Sequence, residues 1–214
     1  MIIGVTGHAQ HGKDTVAGFA KARGFKRYAF ADNVRRALYA LNPVVWIAGE
    51  VNEETGEEDT NSGWCVRLQP LIENLGGIDG TNTGAGEGWD NAKKLPEVRQ
   101  LLQRMGTESV RDVVNDEAWV MALRRQLDWE KPDRVVITDV RFPSEAAAVK
   151  AWGGTMIRVV RLTEEGDQFV VEGIDLHHGS EAHVETLPVD HEIRATALED
   201  LESAVTVLLD GMKL

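Results

Sequence analysis

Apolar residues come along this chain in short unbroken runs, separated by stretches with helical spacing. Residues 1–6 (MIIGVT) have no polar face, which predicts a strand covered on both sides, as in a parallel sheet. A glycine-flanked turn follows, and 15–22 (TVAGFAKA) carries its apolar residues at helical spacing. Residues 26–30 (KRYAF) predict a second short strand. Asp32 then stands where an N-cap would open the helix NVRRALYAL, which Asn42-Pro43 ends. The acidic stretch 49–63 and the glycine-rich stretch 76–88 predict loops. Helical spacing returns over 96–105, 107–115 and 117–129. The run 134–138 (RVVIT) is another buried strand core, and Gly153-Gly154 stops the helix that follows over 145–152. Residues 155–161 (TMIRVVR) predict a further strand, 163–189 a polar segment, and 197–209 a closing amphipathic helix. This alternation implies an α/β fold in three layers, a central and mainly parallel sheet with helices on both faces. Ligands of such sheets bind at the carboxyl ends of the strands, so the chemistry is expected just past residues 6, 138 and 161.

Length and charge narrow this picture. At 214 residues the chain suits one domain over 1–214, with a helical insert over 44–130. The segment 163–189 reads either as a lid or as an ordinary polar loop. A net charge of -12 argues against a nucleic-acid partner, because phosphate backbones are held by clustered Lys and Arg. A nucleotide enzyme is compatible with it, since such a site needs only a few local cations. No apolar run reaches the roughly eighteen residues of a membrane span, and the first residues lack the features of a signal peptide. The single cysteine, Cys65, forms no internal disulfide, and a cytoplasmic location is expected. His177, His178, His183 and His191 are spaced too irregularly for a zinc site.

The residues with the clearest chemistry are Gly7-His8-Ala9-Gln10-His11-Gly12-Lys13-Asp14-Thr15, which match G-x-x-x-x-G-K between a strand and a helix. Glycines there let successive backbone N–H groups turn inward around phosphate oxygens, and the helix N-terminus adds a favourable dipole. Ala9, Gln10, His11, Gly12, Lys13, Asp14 and Thr15 are therefore candidate ATP-binding residues, with Lys13 neutralising the β- and γ-phosphates. Asp14 occupies the position where a hydroxyl ordinarily meets Mg²⁺, and Thr15 follows. Either residue is a candidate oxygen ligand, and Asp14 is equally a candidate helix cap.

A phosphate cradle serves kinases, GTPase switches and motors alike. No Asn-Lys-x-Asp segment for reading guanine is present, and the strand 134–138 exits into Asp139-Val140-Arg141 rather than Asp-Glu. An arginine there suits an acceptor that already carries a phosphate, because its planar fork grips such a group in two places. Arg35, Arg36, Arg104, Arg111, Arg141, Arg158 and Arg161 all belong to elements expected at the site, with Arg141 the best placed. Asp139 suits Mg²⁺ through water or an ion pair with Arg141, and Asp32 suits either the site or a cap. Arg158 and Arg161 sit at the base of the 163–189 segment. Trp119 is the tryptophan to test for stacking on a base.

Four segments in order resemble the phage deoxynucleoside monophosphate kinases. They are Gly12–Thr15, then Phe30-Ala31-Asp32-Asn33-Val34-Arg35, then PEVRQLLQRMGTESVR over 96–111 with Trp119-Val120, and ITDVRFPSE over 137–145. A weaker fifth is HGSE over 178–181 with Asp190 and Ile193. The resemblance implies transfer of the ATP γ-phosphate, with Mg²⁺, to deoxynucleoside monophosphates (dNMPs). It implies that Asp32, Arg35, Gln103, Glu108, Arg111, Asp139 and Arg141 bind the acceptor, Glu108 orienting Arg111 from one helical turn away. Two departures stand out: Asn33 replaces the family's usual proline, and Arg194-Ala195-Thr196 replaces an Asn and a Gly near the ATP base. Competing readings are a kinase of the phosphomevalonate or dephospho-coenzyme A type, and an ATP-binding module without turnover. Monomer and homodimer remain open.

Overall fold

The computed structural model describes residues 1–47, 63–79, 85–171 and 182–212. The chain divides into two compact units, Met1–Phe30 with Val120–Leu214, and Ala31–Trp119.

The first unit is built on a parallel sheet. Its strands are β1 (Ile2–Thr6), β2 (Lys26–Tyr28), β5 (Val135–Ile137), β6 (Thr155–Arg161) and β7 (His191–Ala195), in the order β2-β5-β1-β6-β7. Ile3 lies beside Val136 on one side and Thr155 on the other, which fixes the register of the three central strands. These strands are apolar throughout because both faces are covered. Helices α1 (Lys13–Ala22) and α8 (Leu198–Gly211) close over one face, where Val5, Val16, Ala20, Ile157, Val159, Val205 and Leu209 are buried. Each buried valine, isoleucine or leucine there stabilises the fold by about 1.5–3 kcal/mol. Helix α7 (Pro143–Ala151) covers the other face; a Cβ on Gly4 would meet Val149 at 3.1 Å. Helix α6 (Ala118–Glu130) ends in a clasp to β2, its Glu130 accepting from Lys26 and from the Tyr28 hydroxyl. Burial, reinforced by that carboxylate, pushes the Tyr28 phenol up to about 12.

The second unit holds most of α2 (Phe30–Leu41), a hairpin of β3 (Val44–Ile47) and β4 (Trp64–Arg67), then α3 (Leu68–Asn74), α4 (Glu87–Ala92) and α5 (Pro96–Gln103). Helix α5 runs on into a π-helical turn, Arg104–Ser109. The insert expected over 44–130 overlaps this unit.

The expected strands and helices form within a few residues, with instructive exceptions. Asp32 does not cap α2, because the helix has already begun at Phe30. The helix expected over 107–115 is replaced by the π turn and plain turns, as wider backbone hydrogen bonding takes over after Gln103. Strands β3, β4 and β7 and helices α3 and α4 had no sequence expectation. In β3 only Val45 and Ile47 are buried, a two-residue period too short to read alone. The loop expected over 49–63 lies outside the described residues except for Gly63, as do parts of 76–88 and 163–189, His177, His178 and HGSE.

Candidate active site

A parallel sheet presents the carboxyl ends of β1, β5 and β6 along one edge, and the candidate residues of the first unit lie there. The cradle leaves β1 at Gly7, whose φ is 152° and where a Cβ would stand 2.5 Å from the Val159 carbonyl oxygen. Only glycine allows that approach. Gly12, with φ 94°, sits at the N-terminus of α1 and hands its carbonyl to Val16 N–H at 2.9 Å. Gln10, between them, takes φ 61°, a left-handed value that side chains seldom adopt.

Lys13 stands on the first turn of α1 and folds back over this loop. Its Nζ donates to the carbonyls of Gly7 (2.7 Å) and His8 (2.6 Å), which hold the ammonium over the cradle. Asp14 is exposed on the same turn, and α1 starts without any side-chain cap, so the capping alternative for Asp14 is not realised. Its carboxylate and the Thr15 hydroxyl are both hard oxygen donors at the helix N-terminus. That fits Mg²⁺, which takes one or two protein oxygens and completes its shell from phosphates and water.

His11 is 3% exposed, and its Nε2 lies 2.8 Å from the Phe169 carbonyl oxygen, so the ring carries its proton there. Burial pushes the imidazole below its ordinary pKa of 6.5, with the Phe169 carbonyl pulling the other way and the neighbouring His8 lowering it again. Between that lowered value and 6.5 the unfolded chain holds a proton that the folded chain lacks, so stability rises with pH there and falls as pH drops. Replacing His11 with Asn should flatten the loss of melting temperature between about pH 7 and about pH 5. Parallel melting curves for the two proteins across that range would contradict this role for His11.

On the far side of the cradle, Gln10, Gly12, Thr15, Arg161, Thr196 and Leu198 line a cavity of about 230 Å³. Arg161 stacks on Phe169 with its guanidinium carbon 4.4 Å from the ring centre. Arg158 is engaged differently. It pairs with Glu192 at 3.0 Å and donates to the carbonyls of Val184 and Leu187, tying that segment to β6.

At the exit of β5, Asp139 accepts the Phe30 N–H at 2.8 Å, so the cap of α2 comes from a residue 109 positions away. The next turn is pinned by Glu145, 2% exposed, whose Oε2 accepts the N–H groups of Arg141 (2.8 Å) and Phe142 (3.1 Å). Both bonds go to main chain and hold the turn that carries Arg141. No sequence expectation attached to Glu145, although a Glu three residues past a helix start is a readable capping signal.

In the second unit Asp32 is 1% exposed and its Oδ1 lies 3.2 Å from Arg35. Arg111 is buried and donates to the Asp116 carbonyl at 2.9 Å. Glu108 is exposed. Gln103 is exposed at the end of α5. Trp119 is buried and donates its indole N–H to the Gly106 carbonyl at 2.8 Å, which makes it a packing residue of this unit and not a free stacking surface.

A parallel sheet whose first strand runs into a lysine-bearing glycine cradle, with an arginine turn on a neighbouring strand, is the architecture of a P-loop kinase. The chain belongs to the deoxynucleotide monophosphate kinase family, whose model matches residues 85–203. A deoxynucleoside-5'-monophosphate kinase of Escherichia phage T5 is 29% identical over 97 residues, 44% of this chain and 38% of that protein, so the match spans well under half of the relative's length. Among solved structures, a dephospho-CoA kinase from Campylobacter jejuni is 14% identical with a TM-score of 0.43, covering 98% of this chain and 95% of the other. Another solved structure, of TT1252 from Thermus thermophilus, is 19% identical with a TM-score of 0.42, covering 100% of this chain and 98% of the other.

Proposed function

We propose that this protein transfers the γ-phosphate of ATP to deoxynucleoside monophosphates, giving the diphosphates. The observation that carries the reading is the family match over 85–203, which contains Gln103, Arg111, Asp139 and Arg141 and is joined by a cradle outside it at Gly7–Thr15. Phosphoryl transfer asks a protein mainly for positioning and charge neutralisation, and the residues answer those needs in kind.

The cradle amides and Lys13 take the ATP phosphates, and the cavity beside Arg161 and Thr196 takes the adenosine. Asp14 or Thr15 would hold Mg²⁺, which would supply positive charge beside the phosphates. The acceptor is already an anion near neutral pH and needs cations rather than a base. Arg141, Arg35, Arg111, Gln103 and Asp32 are the residues assigned to it. Asp139 acts by holding the start of α2 through Phe30, and Glu145 by fixing the turn that bears Arg141.

Among the described residues no helix is long and apolar enough to cross a membrane. We place the reaction in the host cytoplasm, where ATP·Mg²⁺ and free nucleotides coexist. A coupled assay with ATP·Mg²⁺ and each of the four dNMPs should show acceptor-dependent ADP release with at least one. Release with none of them would end the proposal, whereas turnover of dephospho-coenzyme A or phosphomevalonate alone would move it to the competing acceptor class.

A further inference from the structure

Past Arg161 the chain turns over at 163–167, where Thr163 N–H donates to the Asp167 carbonyl (2.8 Å) and Gly166 N–H to the Thr163 carbonyl (3.0 Å). It then returns antiparallel, Leu162 bridging to Gln168 and Phe169 N–H donating to the Arg161 carbonyl at 2.9 Å. Residues 161 and 169 therefore face each other across a short hairpin, with their side chains on one side of it. No sequence expectation attached to Phe169.

Phe169 is also tied to the cradle. Its carbonyl accepts from His11 Nε2 at 2.8 Å, and its ring centre lies 6.5 Å from that of the His11 ring. The guanidinium carbon of Arg161 sits 4.4 Å from the Phe169 ring centre, within cation–π range. Arg158, by contrast, commits its donors to Glu192, Val184 and Leu187. The Arg161 side chain has no hydrogen bond or ion pair among the described residues. An aromatic ring attracts a guanidinium through its face and occupies none of the five N–H donors, whereas a carboxylate would take two of them and cancel the charge. Arg161 is thus held with its donors and charge uncommitted, at the cavity of about 230 Å³ that Gln10, Gly12, Thr15 and Thr196 also line.

We infer that Phe169 is a positioning residue for ATP, its ring holding the Arg161 guanidinium ready for the nucleotide in that cavity. This rests on the assignment of the cavity to ATP given above. Without the ring, Arg161 is a long, exposed side chain that must be ordered when the nucleotide binds, and that loss of freedom weakens the contact. The effect falls on ATP, since the cavity is built from the cradle, the end of β6 and the residues from Ala195 to Leu201.

Titration calorimetry of the full chain with ATP tests this without reference to any acceptor. Phe169→Leu, which keeps the main-chain bonds to Arg161 and His11, should weaken ATP binding about fivefold. Phe169→Tyr, which keeps the ring face, should recover most of that loss. Arg161→Ala should weaken binding at least as much, and adding Phe169→Leu to it should cost no further affinity. Steady-state kinetics should show the same split, with a raised KM for ATP and an unchanged KM for the acceptor. A Phe169→Leu loss that persists in the Arg161→Ala background, or that Phe169→Tyr shares in full, overturns the inference. Unchanged ATP affinity in Arg161→Ala overturns it as well, and that arm needs no change at Phe169 should Phe169→Leu fail to fold. A wild-type chain that binds ATP yet releases no ADP with any dNMP removes the acceptor reading and leaves this inference standing, whereas one that binds no ATP removes both.

Discussion

Replacing Lys13 with alanine is expected to lower turnover by about a thousandfold. The melting temperature should move by no more than a few degrees. The reasoning starts from where the ammonium is held. Nζ is bonded to the carbonyls of Gly7 and His8, so its position is set by the cradle itself and not by the apolar core. Two glycines shape the loop independently of the lysine, Gly7 by its close approach to Val159 and Gly12 by its left-handed φ of 94°. The cradle should survive the substitution while losing the charge that stabilises the transferring phosphoryl group. The substitution separates chemistry from folding, and a thermal melt alongside single-turnover kinetics reads both. A variant that keeps a tenth or more of wild-type turnover would show that the cradle does not serve phosphoryl transfer.

The second large effect is expected at Arg141. Its alanine variant should lose about a hundredfold in kcat/KM for the acceptor, with the KM for ATP unchanged. Glu145 makes this substitution informative. Its carboxylate holds the N–H groups of residues 141 and 142, which alanine at position 141 retains, so the turn should keep its shape. The loss then belongs to the guanidinium. Arg141→Lys should recover part of it, because the charge returns without the planar fork that grips two phosphate oxygens. An alanine variant with normal acceptor kinetics would remove Arg141 from the site, and one whose ATP and acceptor constants worsen equally would mark a structural role.

The residues around these two positions show what kind of information each came from. The cradle was legible because its requirements are local. Strand, glycine turn, lysine and helix follow one another within Ile2–Ala22, and the left-handed angles at Gly7 and Gly12 are demands that only glycine meets cheaply. The buried strands were legible for a similar reason. Val135–Ile137 and Thr155–Arg161 are apolar on both faces, a pattern with few other uses in so short a run. Edge strand β7 was not, because only Ile193 and Ala195 are buried and its pairing is decided by β6.

What the sequence by itself determined is the glycine turn that bears Lys13, the alternation that makes a parallel sheet, and which arginines are candidates for an anionic acceptor. Each of these rests on neighbours in the chain or on charge type. Only the tertiary structure decided how those groups are held. The N-terminus of α2 is capped by Asp139, 109 residues away, so the adjacent Asp32 is spared that task and pairs with Arg35. The turn at Arg104–Ser109 is π-helical where an α-helix was expected, and Arg111 just past it donates to the Asp116 carbonyl. His11 keeps its proton on Nε2 because the Phe169 carbonyl lies against it. Hydrogen bonds and burial act through space, and their partners are chosen by packing that no local pattern encodes.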